Sequence, residues 1–587
     1  MTMKLMRTLV SLVAVSTIAC QSQKSHTEAV EQKTAPAPTP SPTPAPPQPA
    51  VSTGDKGPAL GDMGKVGRVN FPTVCDQALQ PTFERAIALL HSFFYSEARK
   101  AFTEITQKDP QCAIAFWGIA MTWYHPLWTP PPPDDFDKGS TAIDQAVKAT
   151  KKNERDQLFV DALAGFYHTA AGAPGAAVQS CHGTGVAFPA RAQAWNAGMK
   201  KAFDKFPADE EVAAFYALTL LAAASPTDLE YKNQKQSAEI LEKLWAARQD
   251  HPGVAHYLIH AYDYPPLATK GLAAAKAYAS IAPTVPHALH MPSHIFVRLG
   301  MWQDAIDGNI KSSQAAAAYA ARDAPGATSF DELHALDYLA YSYLQLGRND
   351  AAKEIAERIP TIKKTVPEVD FVAAYAMASI PARYVVERHA WKEAATLALP
   401  TAGFWAKFPH NEAHVEYARG LGLAHLGDVA GAKKSMARLT ELHDLTTDPK
   451  FGYFQKHLAL QVEAVGAWIS FAEGKKDEAV AALRKAADAE DKLGKHPVSP
   501  GPIIPIYEQL GDMLIELKRP AEALPAYEAA LKTSPKRFNS LYGAGHAAEL
   551  AKNAGAAKQY YQELVDMVGD GAQRPEAADA KKFLAKK

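Results

Sequence analysis

Self-similarity at a spacing of 34 residues constrains this chain more than any other feature. Residues 504–537 carry Leu510-Gly511, then Ala523, Tyr527, Ala530 and Pro535, and residues 538–571 answer with Gly545, Ala557, Tyr561 and a turn near Gly569. Ala523 and Ala557 are 34 residues apart. A unit of that length is two antiparallel helices, and its small residues mark where the helices cross closely. The spacing from glycine to alanine recurs at Gly300 and Ala305 (with Trp302 between), Gly347 and Ala352, Gly427 and Ala432, and Gly474 and Ala479. At the front, Ala98, Phe102 and Pro110 fit it as well. The apolar stretches between these points are alanine-rich and punctuated by Gly or Pro, with no alternation that would favour strands. The pattern predicts an all-α, right-handed superhelical solenoid of helical hairpins. Several units are irregular: Pro130 to Pro133 interrupt the second, residues 170–190 read as a surface loop, and Asp323–Ser329 lengthens another. A solenoid tolerates such insertions because each unit touches only its neighbours.

The placement of small residues within each 34-residue unit resembles the tetratricopeptide repeat. The predicted organisation is a signal peptide over 1–20, a disordered Pro-rich linker over 21–68, an irregular helical region over 69–320 and further repeats over 321–587. Lys4 and Arg7 precede an apolar run from Leu9 to Ile18, too short to span a bilayer as a mature helix. Thr17-Ile18-Ala19-Cys20 resembles the bacterial lipobox, which makes Cys20 the lipidated residue, and Gln21 after it favours the outer membrane of a periplasm-facing lipoprotein. A plain secretory signal with an incidental cysteine is the competing reading. Residues 36–49 alternate Pro with Ala, Thr and Ser, the composition of an extended spacer.

In an oxidising compartment Cys75 and Cys112 are expected to pair, because they flank the first predicted hairpin and the two ends of a hairpin lie together. Cys181-His182 lacks the second cysteine of a haem-attachment motif and reads as an ordinary thiol. Lys plus Arg number 62 against 63 Asp plus Glu, a balance without the basic excess that nucleic-acid binding needs.

The 20 histidines are not scattered at random. His256 and His260 are one helical turn apart, as are His290 and His294, and the two pairs are separated by one repeat period; so are His91 and His125. Chance placement would give about 0.6 pairs at that spacing, against three observed. Counted from Ala305, the two pairs fall at the fifth and ninth repeat positions, which in tetratricopeptide repeats face the concave groove; His91 and His125 fall at the thirteenth, also groove-facing. Pairs of imidazoles on adjacent helices can converge on one ion. The candidate metal site is therefore His256, His260, His290 and His294, with Asp263 as a further ligand or as a group orienting a histidine. His287, three residues before His290, is a weaker candidate. Nitrogen ligands suit zinc, copper, nickel or iron. A structural polar network and direct contact with a peptide or small organic ligand are the competing readings, and for His91 and His125 the structural one leads.

Two functions follow: a membrane-tethered scaffold whose groove holds a peptide, protein or small ligand beside a metal, or a metalloenzyme, hydrolase or oxidoreductase, in which the ion activates water or dioxygen. Other chemistries lack their signatures. There is no H-E-x-x-H, no Walker A loop and no dinucleotide fingerprint, and Ser293 has no nucleophile-elbow context. Glu508 and Asp512 fall at groove-facing positions of a late repeat and read as a solvated face rather than a contact for a basic ligand, and Trp117, Trp123, Tyr124 and Trp128 as core and groove wall rather than a carbohydrate platform.

The run Leu90-His91-Ser-Phe-Phe through Asp109-Pro110-Gln-Cys112-Ala-Ile-Ala-Phe-Trp117-Gly118 resembles the opening of a bacterial family of secreted tetratricopeptide proteins. The likeness continues through His256-Tyr-Leu-Ile-His260-Ala-Tyr-Asp263, His290-Met-Pro-Ser-His294, His334-Ala-Leu-Asp337 and Arg537-Phe538-Asn539, with a weaker similarity to the eukaryotic tetratricopeptide repeat protein 38. It implies fold and compartment and brings no reaction with it.

Overall fold

A computed structural model describes residues 64–127, 130–169, 178–180, 183–185, 189–225 and 228–586. The signal peptide, Cys20, most of the Pro-rich linker, Trp128 and Cys181 lie outside the described residues.

From Gln80 onward the chain is helix after helix, each packed on its neighbours in sequence. Gln80–His91 pairs with Tyr95–Lys108, Ala113–Tyr124 with Pro133–Lys148, and Glu154–His168 with Pro189–Lys205. At the far end Ile506–Glu516 pairs with Pro520–Thr533, Phe538–Leu550 with Ala554–Val568, and Pro575–Leu584 covers the last hairpin. Strands are confined to two short two-stranded pairs among the described residues. No helix among them is long and apolar enough to cross a membrane.

The repeat signature has a direct steric meaning. A Cβ on Gly511 would come within 2.6 Å of the Tyr527 ring, and one on Gly545 within 2.7 Å of Tyr561. Each aromatic ring therefore fills the space that a missing side chain leaves, and any larger residue would push the helices of that hairpin apart. The turn after the first helix of a hairpin needs a left-handed residue. Gly347 and Gly427 supply it at no steric cost.

Three of the four helices that matter most start with proline. Pro252–Tyr262 is followed by Leu272–Ile281, then by Pro286–His290 and Pro292–Arg298. Pro252 and Pro286 occupy the first helical position, where a missing N–H costs nothing. Pro292 cannot donate the bond that would continue the preceding helix, so the two short helices meet at Met291. The long helix Trp302–Asp323 and the buried helix Phe330–Gln345 close over them.

The array is not an open coil. The Trp302 indole N–H donates to the Lys536 carbonyl at 2.8 Å, and the Gln573 N–H donates to the Gly347 carbonyl at 2.8 Å. The last repeats thus return to touch the middle of the chain. At this closure Glu508, expected on a solvated face, is buried against Arg537. Repeat position placed it on the groove side, and there Arg537, at the start of the next repeat, covers it. Cys75 and Cys112 form a disulfide.

Candidate metal centre

The histidines expected along an open groove are core residues instead. His91, His256, His260, His290 and His294 are all buried, because helices on both sides close over them. His125 is half-buried, sits in the left-handed backbone region and stacks on Tyr95 with ring centroids 4.4 Å apart.

The two pairs form two sets of three rather than one set of four. In the first, His256 Nε2 lies 3.0 Å from His260 Nε2 and 3.1 Å from His287 Nε2. In the second, His290 Nε2 and His294 Nε2 are 3.1 Å apart, and His334 is the third member. Within each set the ligand atoms lie within 4.8 Å of one another. The sets adjoin, with the His287 and His290 ring centroids 6.5 Å apart. Phe93 shields the first set, 4.4 Å from the His256 ring, and Tyr338 the second, 4.7 Å from the His290 ring.

Partners on the far side of each ring fix the tautomers. His256 Nδ1 lies 2.6 Å from the His91 carbonyl, which can only accept, so Nδ1 carries the proton and Nε2 a lone pair. His290 Nδ1 donates to Asn309 Oδ1 at 2.7 Å, and the Asn309 amide is itself oriented by donating to Ser293 Oγ and the Ala305 carbonyl. His294 Nδ1 donates to Asp263 Oδ2 at 2.9 Å. Asp263 is held in turn by Arg298, whose Nε donates to Oδ1 at 2.8 Å. Burial alone would raise the Asp263 carboxyl; Lys495, Arg298 and the His294 bond outweigh it and hold it well below the usual carboxylate range.

His290 and His294 therefore present two Nε2 lone pairs to each other at 3.1 Å with no N–H between them. Neutral imidazoles in that arrangement repel. A proton could bridge them, but burial drives His290 down to about 3 and lowers His294 as well. His256 is likewise pushed down to about 3, chiefly by burial. A metal ion relieves the repulsion. With metal–nitrogen bonds of about 2.0–2.1 Å, neighbouring ligand atoms stand about 3.3 Å apart in a tetrahedron and about 2.9 Å apart at right angles. The separations of 3.0–3.1 Å lie between these.

A third buried group behaves differently. Val254 N–H donates to His251 Nδ1 at 3.2 Å, leaving the His251 Nε2–H to donate to Glu211 Oε1 at 3.0 Å. The His91 Nε2–H donates to the other Glu211 oxygen at 2.8 Å, and the Tyr257 hydroxyl donates to His91 Nδ1 at 2.8 Å. Burial would raise Glu211, but His251 and His91 hold it well below the carboxylate range. Every donor has an acceptor, so this network needs no ion. Its task is positional: it fixes His91, whose carbonyl orients His256. Gly253 permits this, since a Cβ there would fall 2.4 Å from His91 Nδ1.

Reading the sequence placed both HxxxH pairs, His287 and Asp263, met His334 within the family likeness without giving it a role, and passed over His251, Glu211 and Asn309. His334 stands outside the 34-residue spacing, because the 22-residue helix Trp302–Asp323 stretches its unit. Asn309 carries no signal beyond its register against His290.

Residues 504–537 match the family model of the tetratricopeptide repeat. No curated protein matches the chain.

Proposed function

We propose that this chain is a metalloprotein in which His256, His260 and His287, and His290, His294 and His334, hold transition-metal ions inside a tetratricopeptide-type scaffold. The observation that carries this reading is the pair of Nε2 lone pairs of His290 and His294, facing each other at 3.1 Å with both Nδ1 protons committed elsewhere. Zinc, copper and iron all suit a set of three imidazoles. The matched repeat supports a scaffold for a protein or peptide partner, since such repeats generally serve that purpose. Export and a lipid anchor at Cys20, facing the periplasm from the outer membrane, rest on the sequence of the first 21 residues and on the likeness to secreted tetratricopeptide proteins.

A metalloenzyme is the second reading, favoured by the ligand count. Three histidines leave at least one position of a four-coordinate ion for water, dioxygen or substrate.

The test is elemental analysis by plasma mass spectrometry on protein purified without a polyhistidine tag. One ion per set is expected, and His260→Ala combined with His294→Ala, one change in each set, should remove it while helix content by circular dichroism persists. Protein that stays metal-free after reconstitution with zinc, copper and iron would sink the reading.

A further inference from the structure

The two sets of three histidines share one chemical feature: neither contains a carboxylate. The charges around them cancel. Asp263 bonds to His294 and is paired with Arg298. The Lys495 ammonium adds its charge to Asp263, His290 and His294. Glu211 bonds to His91, whose carbonyl orients His256. Asp337, three residues beyond His334 on the same helix, faces Arg383 at 3.6 Å. Three carboxylates thus stand against three cations. Two divalent ions would bring four uncompensated charges into this core, where charge is costly unless it is paired. Non-haem iron that activates dioxygen takes a carboxylate beside two histidines, which neither set offers. Imidazole also suits copper, and its cuprous state halves the charge.

Geometry joins the two sets. His287 and His290 lie three residues apart on Pro286–His290, neighbours on one side of a single turn, and each serves a different set. Their ring centroids are 6.5 Å apart and their planes are inclined by 38°. Ions held by two such rings stand about as far apart as the rings do. Each ion has three protein ligands and so at least one open position. A diatomic molecule bonded to both ions, at about 2.0–2.2 Å per bond, spans about 5 Å, which a small turn of either ring provides. Other approaches are covered. Phe93 lies 4.4, 5.8 and 5.7 Å from the His256, His260 and His287 rings. Tyr338 lies 4.7, 5.2 and 5.3 Å from those of His290, His294 and His334. The cavity of about 380 Å³ that borders Asp263 and Arg298 is lined by none of the six histidines. A site so enclosed admits a small uncharged molecule more readily than a bulky or ionic one.

We propose that the two sets form one dinuclear copper centre that binds dioxygen between its ions. The proposal rests on the metal-binding reading above and narrows it to one metal and one substrate. The electrons balance without a further reductant. Each cuprous ion gives one electron, dioxygen takes both and becomes peroxide bridging two cupric ions, and no proton moves. The bridge then carries the two negative charges that the surroundings lack.

The test loads the full chain with cuprous ion under anaerobic conditions. Elemental analysis should find two copper ions per chain. Admitting dioxygen should consume one molecule for each pair of ions, read with an oxygen electrode. The oxygenated protein should then lack nearly all of the electron paramagnetic resonance signal of its copper, because two cupric spins joined by one bridge cancel. His334→Ala should keep one copper ion, take up no dioxygen and, once oxidised chemically, show the full signal of an isolated cupric ion. His287→Ala should do the same from the other set, so a folding failure in one variant leaves the other to decide. Two copper ions that leave dioxygen unconsumed, or that keep both full signals when oxidised, would overturn the pairing and leave the metal-binding reading intact. So would unchanged dioxygen uptake by either folded variant, or protein that refuses copper and holds another metal. Protein that holds no metal of any kind would overturn both.

Discussion

At Arg537 every buried charge meets its complement; at His290 and His294 two buried acceptors meet each other. The Arg537 guanidinium is fully buried, with Nε and Nη2 donating to the two Glu508 oxygens at 3.0 and 2.9 Å, Nη2 also to Glu387 at 2.9 Å and Nη1 to the Tyr341 hydroxyl at 3.0 Å. Arg574 adds a second cation, donating to the Glu387 carbonyl at 2.7 Å and to Asn539 at 2.6 Å. This network is complete and joins helices from three parts of the chain. The second histidine set is equally buried but incomplete, as the Nε2 atoms of His290 and His294 face each other with nothing of opposite character between them. The completed network reads as a clasp that closes the array, and the incomplete one as a site that something else completes.

The sharpest way to break the comparison is to damage each member and read both stability and metal. Arg537→Met leaves Glu508 and Glu387 buried without their cation, a defect that costs about 3–5 kcal/mol. Chemical denaturation should show that loss, while metal per folded molecule should not change. If Arg537→Met stripped metal from protein that remains folded, the clasp and the centre would be one unit and the contrast would fail.

A smaller effect sharpens the other side. Asn309→Ala removes the acceptor that holds His290 Nδ1–H, and loss of such an orienting partner typically weakens metal affinity by about 10–100-fold. Competition with a chromophoric chelator would measure it. The change should fall on one ion only, because Asn309 touches the second set and not the first. Equal weakening of both ions, or of neither, would dissolve the division into two sets of three.

How much of this was legible in the chain follows from where the information lies. The hairpins could be read because one steric demand, a small residue under an aromatic ring, repeats at Gly511 with Tyr527 and at Gly545 with Tyr561. The histidine pairs could be read because a helical turn and a repeat period are both local. The clasp could not: Arg537 meets Tyr341 across 196 residues and Glu387 across 150, and no periodicity records that the last repeats return to the middle. The groove-facing histidines became core because Phe93 and the helices Trp302–Asp323 and Phe330–Gln345 pack over them. The regrouping into two sets came from His287, which reaches His256 across 31 residues, and from His334 on a helix displaced by the long preceding one.

Acidity gives the smallest and most gradual test, and between about 6.5 and about 4.5 it falls on buried histidines that no carboxylate holds. His410 is buried among Phe371, Phe451 and Phe454, and burial, with Lys450 adding to it, lowers it to about 3. His425 is lowered to about 3 by burial, with His389 contributing, where it stacks on Trp391. Both stand at about 6.5 when the chain unfolds. Between about 6.5 and about 3 the unfolded chain therefore binds protons that the folded one refuses. Stability from these residues is present above the upper value and drains away as the pH falls, by at most about 1.4 kcal/mol per pH unit for each site. Metal-free protein should show this slope in urea denaturation at a series of pH values. His410→Phe, which replaces a titrating ring by an apolar one in an aromatic nest, should make the slope shallower by about one site's worth. The Arg537 clasp adds to that loss only below about 4.5, where protons begin to compete for Glu508: burial would raise this carboxyl, but Arg537 and Ser540 hold it lower in the folded chain than in the unfolded one. A slope unchanged by His410→Phe would mean that this imidazole finds a proton or a partner inside the fold, and the contrast between satisfied and unsatisfied burial would no longer hold at that position.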